Sequence, residues 1–457
     1  MAKLRWNKKM IAVILALAWP TMLEQLLQTA VQYIDTAMVG SLGTQATAAV
    51  GATTTVNWLV GSAISALGVG FLSYIAQALG AKDHQRARAA AAQVVMVTLV
   101  TGIAFTAITV GVSGVLPVWM QVDLSIRQLA SQYFLILYLP MLPRTASILF
   151  GTVLRAAGDT KTPMKVGALT NLINVVLNFF LIFPTRTIWG ITVPGAGWGV
   201  IGAAIASAIA FTVGGVYITV VLWRHPLISP SKQKLLPNLQ ILKPCMKVAL
   251  PNMLQRFGTS LGYVAFASMV NSIGDVATAA HTIANTVESA FYIPGYGMQA
   301  AAATLAGNAY GAKDEKRLRE TGAMFIPLVI GLMVISGGLL FAFARPLVDI
   351  FSDSDQVIGL GTTVLCMVAL SEPFYGVPII VEGMMQGVGK TKTPFIYNII
   401  GMWGVRIVGT FVCTQLLHMG LVSAWACMIA HNLLLFVLYM ITYIKGSWDP
   451  LKNTHTV

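Results

Sequence analysis

Five acidic residues stand inside long apolar stretches of this 457-residue chain: Glu24, Asp35, Glu288, Glu372 and Glu382. A charged side chain at mid-bilayer costs roughly 2.5–3.5 kcal/mol on insertion scales, so carboxyls kept there point to a bound ion, a proton or a charged ligand. Glu24, Gln28, Gln32 and Asp35 are the sharpest grouping. At helical periodicity they fall within an arc of about 80°, one polar stripe on an apolar helix. Pro20 removes a backbone hydrogen bond just before the stripe and allows a bend there. Such a stripe suits a cation or proton site facing a helix bundle. It would also serve as a hydrogen-bonded seam between helices, although two acids on one stripe favour the ion site.

A second grouping lies further on. Asn171, Asn174 and Asn178 are spaced by three and four residues and share about 60° of a helical face. Amide oxygens can help ligate sodium or accept from a protonated carboxyl, and amides can also simply join helices. The acidic stripe in the same half of the chain favours a joint site of Asp35, Glu24, Asn174 and Asn178.

The second half offers different chemistry: Glu288, Glu372, Glu382, Arg256, Arg406 and His281. Some of these groups are expected to neutralise one another as buried pairs. Glu372, just before Pro373-Phe374-Tyr375, is the strongest candidate for a ligand contact. With Glu288, Arg256, Tyr292 and Tyr375 it forms a candidate substrate site. An aromatic face there adds about 0.5–2 kcal/mol for a cation. His281 reads as a packing or capping histidine. Gly387-Val388-Gly389-Lys390-Thr391 resembles the end of a phosphate-binding loop, but Met384 stands where that loop needs glycine. It reads as a turn, so any uphill transport would draw on an ion gradient. No catalytic constellation appears. Cys245, Cys366, Cys413 and Cys427 are scattered through apolar stretches without a CxxC pair, so neither a metal site nor a disulfide is expected.

The elements that must hold these residues follow from composition. Hydrophobic residues make up 56% of the chain and charged ones 10%, against roughly a quarter charged in soluble domains. Mean hydropathy is +0.75. This excludes an ordinary soluble enzyme and fits a polytopic helical membrane protein. Twelve spans are expected near 10–39, 46–78, 90–117, 127–154, 163–184, 197–223, 246–271, 277–309, 321–345, 357–385, 394–416 and 419–443. The runs are too long, and alternate too little, for a membrane β-barrel. The N-terminal basic cluster and the apolar run behind it read as a retained first span rather than a signal peptide.

The net charge of +13 would suggest nucleic acid in a soluble protein. Placed on the twelve spans, it is a topology signal instead. Of the 29 Lys and Arg residues, Arg127, Arg186 and Arg345 fall on one side and Arg144, Arg256 and Arg406 within spans. All the others share the opposite side, which is therefore cytoplasmic and carries both termini. The chain also repeats at an offset of 231 residues. Pro20 falls on Pro251, Gly80-Ala81-Lys82-Asp83 on Gly311-Ala312-Lys313-Asp314, and Thr160-Lys161-Thr162-Pro163 on Thr391-Lys392-Thr393-Pro394. The expected organisation is an N-terminal lobe of six spans over 1–223 and a cytoplasmic linker over 224–245. A C-terminal lobe of six spans over 246–446 and a cytoplasmic tail over 447–457 complete it. Six spans per repeat return the chain to the same side, so the lobes should be related by a pseudo-two-fold along the membrane normal. The prolines at 226, 230 and 237 predict an irregular linker, which could lie on anionic lipid.

The ordered motifs resemble those of the multidrug and toxic compound extrusion (MATE) transporters. They are Pro20 with Asp35 in Asp-Thr-Ala-Met-Val-Gly, Gly80-Ala81-Lys82-Asp83, and the run from Leu154 to Pro163. Asn174-Val175-Val176-Leu177-Asn178, Ala279-Ala280-His281 and Pro294-Gly295-Tyr296-Gly297 complete the set. The resemblance implies two six-helix lobes flanking a V-shaped cavity. It also implies export of amphipathic, often cationic organic compounds against entry of protons or sodium ions. Asp35 matches the family's coupling aspartate, and Asn174 and Asn178 match its fifth-span polar pair. Some members have aspartate where Asn178 stands; losing that carboxylate weakens a sodium site more than a proton site. Acids that some members carry in the seventh and tenth spans fall here on Thr259 and Tyr375, with Glu372 one turn from the latter. The expected function is an antiporter in a bacterial inner membrane, with no cofactor beyond the coupling ion. Its partners would be a small organic substrate and membrane lipid. The alternative is a flippase for lipid-linked oligosaccharides, which would want several basic residues lining its cavity. Only Arg144, Arg256 and Arg406 are available for that.

Overall fold

A lipid-embedded backbone must satisfy its own hydrogen bonds, and apolar runs of this length do so as helices. The computed structural model describes residues 6–452. In its first half α1 spans Lys8–Gly40, α2 Thr44–Gly80 and α3 His84–Val112. Then follow a short α4 at Leu116–Trp119, α5 at Leu124–Tyr138, α6 at Met141–Ala156, α7 at Lys161–Leu181 and α8 at Val200–Arg224. In the second half α9 spans Leu239–Asn271, α10 Asp275–Gly311, α11 Glu315–Asp349 and α12 Asp355–Gly387. The next rod begins as α13 at Lys392–Ile399 and continues through π-helix at Ile400–Ile407. It ends through α14 at Val408–Phe411 and π-helix at Val412–Leu416. The last helix, α15, spans Leu421–Lys445. The helix α5 and its continuation α6 meet at a bend of 51° around Pro140 and are together long and apolar enough for one span. Counted that way, with α4 set aside and Lys392–Leu416 as one rod, the described chain has twelve long helical segments.

Contacts divide the chain into two compact units. One contains the chain up to Met22, Leu72–Asp83 and everything from Pro244 onward; the other contains Leu23–Phe71 and His84–Lys243. Two helices thus pass from one unit to the other, α1 just after its internal Pro20 and α2 after Phe71. The division therefore differs from lobes drawn at 223 and 246, because the start of α1 and the end of α2 pack with second-half helices. The first unit is built around Ile14, Met298, Phe325, Val381, Met384 and Tyr439, with a further cluster around Phe266, Leu365 and Trp425. In it α10 and α12 approach closely: a Cβ on Gly387 would run into the Ala303 carbonyl. Buried residues of the second unit include Ala49, Ile126, Phe134, Leu149 and Leu154.

The repeated Gly-Ala-Lys-Asp turns share one geometry. Lys82 and Lys313 take φ of 57° and 55°, the left-handed conformation that stops a helix. Asp314 then caps α11 by accepting from the Arg317 N–H at 2.9 Å.

Two elements depart from the sequence reading. The linker is shorter than 224–245, because α9 already begins at Leu239, two residues after Pro237, and runs through Pro244 and Pro251. Pro244 and Pro251 both lie beyond the first turn, where each removes one backbone hydrogen bond and crowds the carbonyl four residues back, so they favour a bend without ending the helix. The chain between α7 and α8 also forms a β-hairpin, β1 Pro184–Ile188 paired with β2 Ile191–Ala196. Its turn residues Trp189 and Gly190 both have positive φ, as a two-residue hairpin turn of the primed type requires. Tryptophan is an unusual first turn residue, so the usual Asn-Gly or Asp-Gly signal is missing.

Candidate functional site

Within the unit formed by Leu23–Phe71 and His84–Lys243, α1, α7 and α8 bring one carboxyl and two amides together. The Asn178 amide nitrogen donates to Asp35 Oδ1 at 2.5 Å and to Asn174 Oδ1 at 3.1 Å. The Asn174 nitrogen donates to Ser207 Oγ on α8 at 2.9 Å. One turn separates Asn174 from Asn178 on α7, which is why their amides can address the same carboxyl. Asn174 and Asn178 are buried, whereas Asp35 stays partly exposed. Among the described residues no basic nitrogen lies within ion-pair distance of Asp35. Its charge is met by neutral dipoles alone.

The orientation of the Asn174 amide is tied to the charge on Asp35. With its oxygen towards Asp35, two acceptors face each other across 2.7 and 3.0 Å. That arrangement is satisfied when Asp35 carries a proton and donates it, or when a small cation sits between the oxygens. With the amide turned, its nitrogen donates to both carboxylate oxygens and its oxygen accepts from Ser207 Oγ at 2.9 Å. The second arrangement suits charged Asp35. The Asn174 amide can thus offer Asp35 an acceptor or a donor, although the turned amide gives up its bond from Asn178, and Asn178 Oδ1 is buried without a hydrogen-bond partner.

Glu24 is not part of this cluster. It pairs instead with Arg155 in the last turn of α6, with the guanidinium 2.7 and 2.6 Å from its two oxygens. The side chains of both are 17% exposed. Gly167 on α7 lies against the same carboxylate. The predicted stripe is thus divided: Glu24 faces Arg155, Asp35 faces the asparagines, and Gln28 and Gln32 are exposed. The structure adds Ser207, whose only sequence signal was a hydroxyl within an apolar span. It also adds a neighbouring group on Asn57, whose Oδ1 accepts from Tyr138 at 3.1 Å and from Arg144 at 2.5 Å. The Arg144 guanidinium lies over the ring of Phe211, 4.9 Å from its centroid.

In the other unit Tyr292 and Tyr296 of α10 and Tyr375 of α12 form a triangle of edge-on rings, with centroids 5.9 to 6.5 Å apart. The hydroxyls of Tyr296 and Tyr375 share a hydrogen bond of 2.6 Å. Tyr296 stands one helical turn from Tyr292, which brings it beside the candidate substrate residues Tyr292 and Tyr375. Glu288 and Glu372 are buried, 6% and 1% exposed, and lie within electrostatic reach of each other. Arg256 is turned to Asn252, donating through Nε at 3.0 Å, and reaches Tyr296 electrostatically. Arg406, carried by the first π-helical stretch, lies over Tyr263 and Phe266 with centroid distances of 4.9 and 4.3 Å. His281 accepts from the Trp425 indole at 3.2 Å and packs against Phe266.

The family model described as MatE matches residues 20–180 and again 251–412, one match in each repeat. A "Probable multidrug resistance protein NorM" from Thermotoga maritima is 28% identical over 436 residues, covering 95% of this chain and 92% of that one. "Probable multidrug resistance protein YoeA" from Bacillus subtilis is 25% identical over 418 residues, covering 89% and 87%. A crystal structure of MATE in complex with MaL6 shares the fold with a TM-score of 0.89 at 22% identity, covering 98% of each chain. So does a MOP superfamily transporter from Pyrococcus furiosus, with a TM-score of 0.88 at 23% identity and 98% of each chain covered; its structure is described as having a binding pocket of reverse polarity.

Proposed function

The chain belongs to the MatE family of multi-pass membrane transporters, and from that membership we propose that it is a secondary antiporter for multidrug efflux. It exports amphipathic, cationic organic compounds in exchange for protons or sodium ions. It resides in a bacterial inner membrane with both termini cytoplasmic, an orientation that the distribution of Lys and Arg supports. It is a transporter, not an enzyme.

The observation that carries this reading is the Asp35 carboxyl, met by amides and by no cation. A carboxylate paired to arginine has its charge already balanced. One held by Asn174 and Asn178 accepts a proton or a small cation without displacing a counter-ion, and the amide of Asn174 can offer it an acceptor or a donor. Entry of one positive charge down 100 mV supplies about 2.3 kcal/mol, enough for a substrate gradient of roughly 50-fold per ion. Ion and substrate must favour different states of the protein, since only differential binding shifts a conformational equilibrium.

For the substrate, the tyrosine triangle offers aromatic faces in the same unit as the buried acids Glu288 and Glu372, and an arriving organic cation would favour the charged form of one of them. The flippase alternative is less well supported. Arg144 is bound to Asn57, Arg256 to Asn252, and Arg406 is buried over two aromatic rings, so none of the three offers an open basic lining. The test is substrate-triggered ion flux in proteoliposomes, with an imposed proton gradient compared with a sodium gradient. Flux that saturates, exchanges with substrate and responds to one of the gradients supports the antiporter. Substrate movement indifferent to both would refute it.

A further inference from the structure

The internal repeat places a second polar cluster where the first half has an ion pair. Shifted by 231 residues, Glu24 falls on Gln255, Gly151 on Glu382, Arg155 on Gln386 and Gly167 on Asn398. In the first half these positions meet: Glu24 pairs with Arg155, Gly167 lies against Glu24, and Gly151 lies beside the Arg155 guanidinium. In the second half they meet again with the chemistry redistributed. Gln255 of α9 donates to Glu382 Oε1 at 2.8 Å, and Gln386 of α12 donates to the same oxygen at 3.2 Å. Asn398 of α13 donates to Oε2 at 3.2 Å, and the Tyr439 hydroxyl of α15 donates to it at 3.3 Å. One locus therefore holds a balanced carboxylate–guanidinium pair in one repeat and a carboxylate ringed by neutral donors in the other.

We propose that Glu382 is a second proton-binding site, in the half of the protein opposite to Asp35. The reason is charge balance. Where the first repeat has Arg155, the second has uncharged Gln386. The charged group within electrostatic reach of Glu382 is Arg256 of α9, and it spends its Nε on Asn252 rather than forming an ion pair. The other titratable groups facing it are Tyr296 of α10 and Tyr439 of α15. A carboxylate among apolar helices whose only counter-charge acts from beyond ion-pair distance is costly, and a proton removes that charge.

The cluster also holds an acceptor for that proton. Gln255 is 7% exposed, and its amide oxygen is buried without a hydrogen-bond partner. While Glu382 is charged, Gln255 donates through its nitrogen and the oxygen stays idle. When Glu382 is protonated, the amide turns and the idle oxygen accepts the carboxyl O–H. The charge-assisted bonds to α9, α13 and α15 then become ordinary neutral ones, roughly half as strong. Asp35 with Asn174 and Glu382 with Gln255 thus use the same device, an amide that reads the charge of a carboxyl, on unrelated positions of the two repeats. The proposal goes beyond the coupling role of Asp35 and does not depend on it.

Infrared difference spectroscopy of the full-length protein in lipid, between mildly alkaline and mildly acidic pH, reports protonated carboxyls by their C=O stretch. The wild type is expected to gain a component that Glu382→Gln lacks and Asp35→Asn retains. Gln386→Arg restores the guanidinium of the first repeat four residues along the helix from Glu382. It should hold the carboxylate charged and abolish the same component. An unchanged spectrum in Glu382→Gln would overturn the proposal. If that variant fails to fold, Gln386→Arg decides alone: persistence of the full wild-type signal refutes a proton on Glu382, and loss of one component supports it.

Discussion

Replacing Asp35 by asparagine separates the ion-carrying role of this residue from its structural role. The carboxyl accepts from the Asn178 amide at Oδ1, and its oxygens face the Asn174 oxygen at 2.7 and 3.0 Å. In Asp35→Asn the new Oδ1 still accepts from Asn178, and the new NH2 donates to the Asn174 oxygen. No buried donor or acceptor is orphaned, so the loss of stability should stay within about 1 kcal/mol. Asp35→Ala, by contrast, strands the buried amides of Asn178 and Asn174. Each orphaned group costs about 1–3 kcal/mol, so this variant should melt clearly lower. The functional ordering differs, because neither variant can carry a proton or a cation charge. Both should lose the roughly 50-fold accumulation that one charge crossing 100 mV can sustain, and leave only equilibration. The assay is uptake of a fluorescent cationic substrate into inverted vesicles under an imposed gradient, with thermal melting of the purified variants alongside. Substrate binding should survive in Asp35→Asn. Full gradient-driven accumulation by a well-folded Asp35→Asn protein would refute the reasoning and return Asp35 to a helix-packing role.

Glu372→Gln should weaken binding of cationic compounds several-fold and spare neutral ones in equilibrium binding; equal loss for both would make Glu372 structural. Arg155→Gln leaves the Glu24 carboxylate unpaired at 17% exposure. It should cost about 1–3 kcal/mol, less when combined with Glu24→Gln, and a double-mutant cycle on melting curves without coupling would deny the ion pair an energetic role. Single cysteines at Ser231 and Ser354, both exposed, should be reached in intact cells by an impermeant reagent at Ser354→Cys and not at Ser231→Cys. The opposite labelling would invert the topology. His225, just past the end of α8, is pushed down by partial burial, against a smaller upward pull from Asp159, and its Nδ1 accepts from the Leu227 N–H. Its folded-state value lies below the unfolded one, so its contribution is intact above the unfolded value near 6.5 and is lost as pH falls through the folded value. The melting temperature should decline across that window, and His225→Gln should flatten the decline.

The spans, the repeat and the candidate acids were legible in the sequence because lipid imposes a one-dimensional rule. Each crossing must be an apolar helix of sufficient length, and every polar residue inside it stands out. Asp35 with Asn174 and Asn178 was legible for the same reason, since helical spacing put each set on one face. Periodicity along one helix, however, says nothing of which other helix that face meets. Glu24 and Asp35 share a stripe on α1, yet Glu24 reaches Arg155 on α6 while Asp35 reaches α7. Arg155, at the basic end of a span, looked like a topology marker until the fold turned it inward. Glu382 stood out only as one of several ionisable groups of the second half, and only the packing of α9, α13 and α15 around α12 assembled its four donors. The hairpin at 184–196 was hidden by a tryptophan in its turn, a position where local preference alone gives the wrong answer. Hydrophobicity acts residue by residue and can be read in order along the chain, whereas charge pairing depends on distances between helices, which the sequence order does not contain.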